Sequence, residues 1–272
     1  MPIILKLKEK GAVIMQFEII DFHTHPFMDE RTNICMHKEY CNMNIEGTKK
    51  VYEKLGVSKI CGSVIETGVK EVKWEHISYC NNKALELKEI YGEFYIPGFH
   101  IHPKFPEESY TEMERMDKKG IKLIGELVPY HHGWSDYSCP EFSELLKEAG
   151  KRNMIVNIHT NGNDEMDEMV KRHKDVMFVA AHPGEYNDLM RHFERMKMSE
   201  NYYLDISGTG LFRYGMLKRA VDCFGAERIL FGSDYPVCNP GMFVGGVLFD
   251  SLLTESQKEK IFSLNAKNLL GI

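Results

Sequence analysis

His23 and His25 stand two residues apart in the run Asp21-Phe22-His23-Thr24-His25-Pro26. In an extended backbone that spacing sends both imidazoles to one side, where together they can grip a divalent cation. Three further runs end in a metal-competent or acid/base side chain just after an apolar stretch. They are Asn157-Ile158-His159-Thr160, Ala180-Ala181-His182-Pro183-Gly184 and Phe231-Gly232-Ser233-Asp234-Tyr235-Pro236. Imidazole and carboxylate suit zinc and its neighbours, and a catalytic site leaves one coordination position open. A cation held this way lowers the pKa of its water toward about 7. Asp234, at the end of an apolar run, is placed to take the proton.

These runs need a scaffold that brings them together. Short apolar stretches rich in β-branched or aromatic residues recur at 18–22, 59–65, 94–99, 121–127, 154–158, 176–181, 202–206 and 228–232, and each reads as a strand. Between them lie helical patterns such as 77–90, 141–148, 164–172, 185–197 and 211–224, with apolar residues three and four apart. Leu55-Gly56, Ala149-Gly150 and Phe224-Gly225 read as helix stops. Strand and helix in alternation require a parallel sheet. Eight such units in 272 residues predict an α/β fold, a closed (β/α)8 TIM barrel. A doubly wound sheet is the competitor, but no Gly-x-Gly-x-x-Gly follows the first strand. Catalytic groups of a barrel gather at the C-terminal ends of its strands, where His23, His25, His159, His182 and Asp234 fall.

The 34 Lys and Arg against 40 Asp and Glu leave a net charge of −6 without any basic run, which argues against a nucleic-acid partner. Small-molecule chemistry is the expectation. No apolar run approaches the roughly 18 residues needed to cross a bilayer, and the first fifteen residues lack a signal peptide's apolar block, so a cytoplasmic protein is expected. The seven cysteines are odd in number, scattered and free of any C-x-x-C pair, which predicts reduced, mostly core thiols. Residues 1–14 read as an extension and 15–272 as one domain. Barrels often associate, which makes a homo-oligomer an expectation, although no residue marks an interface.

Taken in order, H-x-H after the first strand, His after the fifth, H-P-G after the sixth, L-D-I-S-G in the seventh and I-L-F-G-S-D-Y-P in the eighth resemble the amidohydrolase superfamily. The similarity is greatest to its amidohydrolase-2 branch, which holds aminocarboxymuconate semialdehyde decarboxylase, aromatic-acid decarboxylases, lactonases and hydratases. It runs from about Phe17 to Ile272 and includes the closing Asn265-Ala266-Lys267-Asn268-Leu269-Leu270. The resemblance implies that His23, His25, His159 and Asp234 are metal ligands. It makes His182 either a ligand of a second metal or an acid/base group. Two-metal members bridge their ions with a carboxylated lysine or a glutamate at the end of the fourth strand, which marks Glu126 here. Lys122, four residues earlier, lies too deep by ~13 Å. One or two divalent ions are implied, zinc first, with manganese, iron or cobalt as alternatives.

The implied activity is hydrolysis of an ester, lactone or amide carbonyl in a small substrate for which an anion is compatible. Decarboxylation of a small unsaturated or aromatic acid is the alternative. A Glu at this strand end also resembles TatD-type deoxyribonucleases, but the strand-six and strand-eight motifs depart from that family. A non-enzymatic binding barrel would not need the full ligand set, which is present.

Substrate contacts are expected from the loops at 27–45, 67–74, 130–138 and 237–247. His102, in a second H-x-H at His100-Ile101-His102, is a candidate, as is Trp134, a lid residue in the run His131-His132-Gly133-Trp134. Arg213 is a candidate for meeting an anion. Asp205 could orient a ligating imidazole. His37, His76, His173 and His192 lie away from strand ends, and Met166, Met169, Met190, Met196 and Met198 read as helix filler.

Overall fold

A computed structural model describes residues 17–272 apart from positions 42, 70 and 212, so the extension at 1–14 and the domain start at 15 lie outside the described residues. Eight strands run in chain order: β1 Ile19–Asp21, β2 Val57–Gly62, β3 Tyr95–Phe99, β4 Leu123–Leu127, β5 Ile155–His159, β6 Met177–Ala181, β7 Tyr202–Asp205 and β8 Ile229–Leu230. Each pairs in parallel with the next. The ring closes just beyond β1 and β8. There Phe22 N–H donates to Phe231 O at 2.9 Å, Asp234 N–H to His23 O at 2.8 Å and His25 N–H to Tyr235 O at 2.7 Å. The expected (β/α)8 barrel is the fold, and its seam is made of the segments that carry His23, His25 and Asp234.

Helices return the chain to the bottom of the barrel after each strand: α1 Ile45–Leu55, α2 Trp74–Tyr91, α3 Pro106–Lys118, α4 Pro140–Lys151, α5 Asn163–Arg172, α6 Tyr186–Met198, α7 Met216–Phe224 and α8 Pro240–Leu248. Local chemistry explains their ends. The Asn44 side chain accepts the Gly47 N–H to start α1, and Gly56 at φ 72° stops it. Proline opens α3, α4 and α8, where its missing N–H costs nothing. The pattern at 211–224 forms helix only from Met216, because the chain before it turns through Gly208, Gly210 and Gly215 at positive φ. Helix α8, which periodicity did not single out, is apolar on every side and so presents no stripe.

A large apolar layer separates the barrel from its helices, with Ile60, Phe99, Phe142, Leu145, Phe178 and Leu204 among its members. A smaller cluster, Ile20, Phe22, Cys61, Leu123, Ile155, Val179 and Leu230, draws on strands all round the ring and packs on Ala266 of the C-terminal helix. Each such side chain stabilises the fold by roughly 1.5–3 kcal/mol. Along β5 the inward face reads Ile155, Asn157, His159, so strand alternation lifts the chain from apolar floor to polar mouth. The cysteines depart from the expectation of core thiols. Cys35, Cys61 and Cys80 are buried, Cys139 and Cys238 only partly so, and Cys41 and Cys223 are exposed. Among the described residues no helix is long and apolar enough to cross a membrane.

Candidate metal centre

His23 and His25 leave β1 side by side and are both buried. His23 Nδ1 lies 2.7 Å from Asp205 Oδ2 and 2.9 Å from Ser207 Oγ. His25 Nδ1 lies 3.0 Å from the Ser63 carbonyl oxygen, to which it donates. These acceptors hold the proton on Nδ1 and leave each Nε2 with a lone pair. The two Nε2 atoms then face one another at 3.2 Å. They also face Glu126 Oε2, at 3.3 Å from His23 and 3.1 Å from His25. Lone pairs set against lone pairs and a buried carboxylate require a cation between them, whether proton or metal.

Glu126 and Asp234 divide their oxygens between two sets of imidazoles. Glu126 Oε2 serves His23 and His25, while Oε1 lies 2.9 Å from His159 Nδ1 and 3.3 Å from His182 Nε2. Asp234 Oδ1 lies 3.6 Å from Nε2 of both His23 and His25, and Oδ2 lies 3.9 Å from His182 Nε2. A tetrahedral shell with bonds near 2.1 Å has edges of roughly 3.4 Å, so this spacing fits divalent coordination. Three donor groups overlap: His23, His25 and Glu126; His23, His182 and Asp234; Glu126, His159 and His182. In these groups His159 falls with Glu126 and His182, while His23 and His25 share a group with Glu126.

The backbone is shaped to present these groups. His182 and Asp234, at φ 61° and 58°, are two of three non-glycine residues with positive φ among the described residues. That conformation costs on the order of 1–2 kcal/mol and is held by the surroundings. The Asp234 N–H bonds across the seam, and the His182 N–H points at Asp205 Oδ1 at 3.4 Å. The His182 ring lies against Gly208, where a Cβ would stand 2.5 Å from its Nδ1. A side chain there would displace the ring.

Electrostatics follow from burial and these contacts. Burial pushes the Glu126 carboxyl up, but the charges of His23 and His159 and the bonds from His159 and His182 outweigh it and hold the group well below the usual range. Burial works against a charged His23, yet Glu126 and Asp205 raise it well above an ordinary histidine. His182 is also raised, by Glu126 against its own burial. Burial raises the Asp234 carboxyl above its ordinary value, against the pull of His23, His182 and His25.

Over the centre lies a cavity of about 270 Å³ whose walls include Ile34, Met36, Ile65, Thr67, Val128, Tyr130, His131 and Val237. All four expected loops contribute. The three expected substrate residues do not line it. His102 Nε2 donates to His132 O at 2.7 Å and its Nδ1 accepts the Lys104 N–H at 3.0 Å, which uses both nitrogens. Trp134 packs on Phe142 and Tyr137, with ring centroids 4.9 and 5.4 Å away. Arg213 is exposed, pairs with Glu185 and borders a separate hollow beside Tyr214 and Phe249. Tyr130 and His131 take the expected place of Trp134, because the 3-10 turn Pro129–His132 directs the later members of that run inward. Their position directly after the Glu126 strand is the sequence signal for this role, and the bulk of Trp134 is not.

Comparison with known proteins agrees with this fold. A family model described as amidohydrolase matches residues 20–272. No curated protein matches the chain. Among solved structures, 2,6-dihydroxybenzoate decarboxylase from Rhizobium is 16% identical with a TM-score of 0.76, covering 94% of this chain and 99% of that one. The 5-carboxyvanillate decarboxylase from Sphingomonas paucimobilis is 14% identical with a TM-score of 0.74, covering 94% of this chain and 100% of that one. A dihydroxybenzoic acid decarboxylase from Polaromonas, with bound manganese and the inhibitor 2-nitroresorcinol, is 15% identical with a TM-score of 0.72, covering 94% and 97%. At these identities the likeness is one of fold.

Proposed function

The chain belongs to the amidohydrolase family, and we propose that it is a two-ion, metal-dependent hydrolase acting on the ester, lactone or amide carbonyl of a small substrate. The observation that carries this reading is the division of Glu126 and Asp234 between two groups of imidazoles. One group, His23 and His25 with Glu126 Oε2 and Asp234 Oδ1, would hold one ion. The other, His159 and His182 with Glu126 Oε1, would hold the second. Such ions supply Lewis acidity to the substrate carbonyl and the attacking water. The protein's own groups do the rest. Asp205, Ser207 and Ser63 keep the two β1 imidazoles in the ligating tautomer. Asp234, held at the mouth beside the imidazoles, would take a proton from the water and return it to the leaving group. Ile34, Ile65, Val128 and Val237 give the cavity apolar walls, and Tyr130 and His131 offer polar contacts to the substrate. Imidazole and carboxylate without thiolate suit manganese as well as zinc.

A second reading, decarboxylation of a small aromatic or unsaturated acid, has the support of the comparisons, since the three solved structures above are decarboxylases and one holds manganese. On that reading His23, His25 and Asp234 would hold a single ion that would supply a positive charge to the carboxylate, and His182 would be free for proton transfer. Metal content of the wild type and of Glu126→Ala separates the two, together with assays on lactones, esters and dihydroxybenzoates. Two equivalents that fall in the variant, with turnover of an ester or lactone, are expected for the hydrolase. A single equivalent in both proteins would sink the two-ion reading.

A further inference from the structure

The loop between β1 and α1 carries an unusual density of soft donors: Cys35, Met36, His37, Cys41 and Met43 fall within nine residues. The fold makes them converge. A cavity of about 490 Å³ beside the metal centre is lined by all five, and Cys238 joins them from the loop after β8. A hydrogen bond with Cys35 raises the Cys41 thiol above its ordinary value. Cys35 is buried at the cavity wall while Cys41 opens to solvent. Met43 faces inward, its sulfur accepting from the Tyr235 hydroxyl at 3.6 Å.

What the cavity lacks is as informative as what it holds. Among its described lining residues there is no Asp, Glu, Lys or Arg. A hard ion such as magnesium or calcium would find no carboxylate there. An organic anion would find no cationic partner. Thiolate and thioether select soft cations, copper(I) above all, and copper(I) accepts low coordination by sulfur. Cys35 and Cys41, which line the same cavity, supply two such sulfurs as a core. The centre at Glu126 has the opposite character, nitrogen and oxygen donors only, although Met36 and Val237 wall both cavities.

We propose that this cavity binds a soft, thiophilic cation of the copper(I) class, with the Cys35 and Cys41 sulfurs as its core ligands and Met43 beside them. On binding, each thiol releases its proton to water and donates the freed electron pair to the ion, with no change of oxidation state. The site is independent of the hydrolytic reading, because none of its core ligands belongs to the centre at Glu126.

The test is anaerobic titration of the reduced full chain with copper(I) in competition with a chromogenic chelator, followed by X-ray absorption at the copper edge. One equivalent is expected to resist the chelator, with sulfur as the nearest scatterer. Cys41→Ser, at an exposed position the fold tolerates, should weaken binding by at least about 100-fold, more than the loss of a supporting partner costs a metal site. The double variant Cys35→Ser/Cys41→Ser should abolish it, with circular dichroism checking the fold, and Glu126→Ala should bind copper like the wild type. Equal retention in Cys41→Ser, complete loss to the chelator in the wild type, or nitrogen and oxygen scatterers alone would overturn the proposal. So would a Cys35–Cys41 disulfide that forms in place of the copper complex.

Discussion

The chain carries H-x-H twice at a strand end, His23-Thr24-His25 after β1 and His100-Ile101-His102 after β3, and the two have opposite fates. All four imidazoles are buried. After β1, each ring spends Nδ1 on an acceptor and turns Nε2 toward Glu126 and Asp234. After β3, His100 Nε2 donates to Val64 O at 2.9 Å and His102 donates to His132 O, and among the described residues no carboxylate hydrogen-bonds to either ring. Carboxylates hold His23 well above its ordinary pKa, whereas burial lowers His100 to about 4. The motif is thus neutral about function. A carboxylate delivered from another strand turns paired imidazoles into a cation site, and without one they become hydrogen-bonded core.

The largest expected effect breaks the first pair. His23→Ala should lose metal and lower turnover by more than about 100-fold, beyond what a lost supporting partner costs, as metal analysis and an ester or lactone assay would show. An unchanged metal content would remove β1 from the centre. Next, Asp205→Asn keeps the ligands but takes away the anion that orients His23, and should weaken metal affinity about 10- to 100-fold by chelator competition.

The pH dependence of stability should differ in sign between the two pairs. His100 is lowered to about 4 from 6.5 by its burial, so between those values the unfolded chain takes a proton that the folded one refuses. Its contribution is full above 6.5 and is lost as pH falls toward 4, amounting to roughly 2 kcal/mol by pH 5 at about 1.36 kcal/mol per unit. His192, lowered to about 3 by burial and Arg195, adds in the same direction. His23, raised in the metal-free chain, contributes stability that is present below 6.5 and lost as pH rises through its elevated value. Urea unfolding between pH 5 and 9 should show both limbs in the apo protein, and saturating metal should abolish only the alkaline one. An alkaline limb that persists with metal bound would assign it to another group.

The smallest effect sharpens the second pair. His102→Leu strips the His132 carbonyl and the Lys104 N–H of their partners and should cost roughly 1 to 2 kcal/mol of stability. Its metal content should match the wild type. Loss of metal in that variant would erase the distinction between the two motifs.

Much of this architecture is legible in the chain. All eight strands lie where apolar runs place them, though β8 is reduced to Ile229–Leu230, since the backbone beyond it turns to pair with the segment after β1. His23, His25, His159, His182 and Asp234 were legible because a strand end is a local feature, marked where an apolar run gives way to polar residues. Helix α8 escaped notice for want of a polar face. Trp134 was misread because size and a nearby glycine do not reveal which way a turn points. Arg213 falls inside the helical pattern at 211–224, but the glycines after β7 push the helix start on to Met216. The cysteines looked scattered in one dimension, yet Cys35 and Cys238, some two hundred residues apart, share one wall.

By itself, then, the sequence determined the barrel and which residues stand at its mouth, because period and turn chemistry act over a few residues and need no partner. Only the tertiary structure decided what those residues are to one another. Glu126 meets His25 across 101 residues of chain and His159 across 33, and the division of its two oxygens between them depends on how the ring closes. Coulombic and coordination energies fall steeply with distance. The difference between a metal centre and a buried histidine pair therefore rests on a few ångströms that no spacing in the sequence encodes.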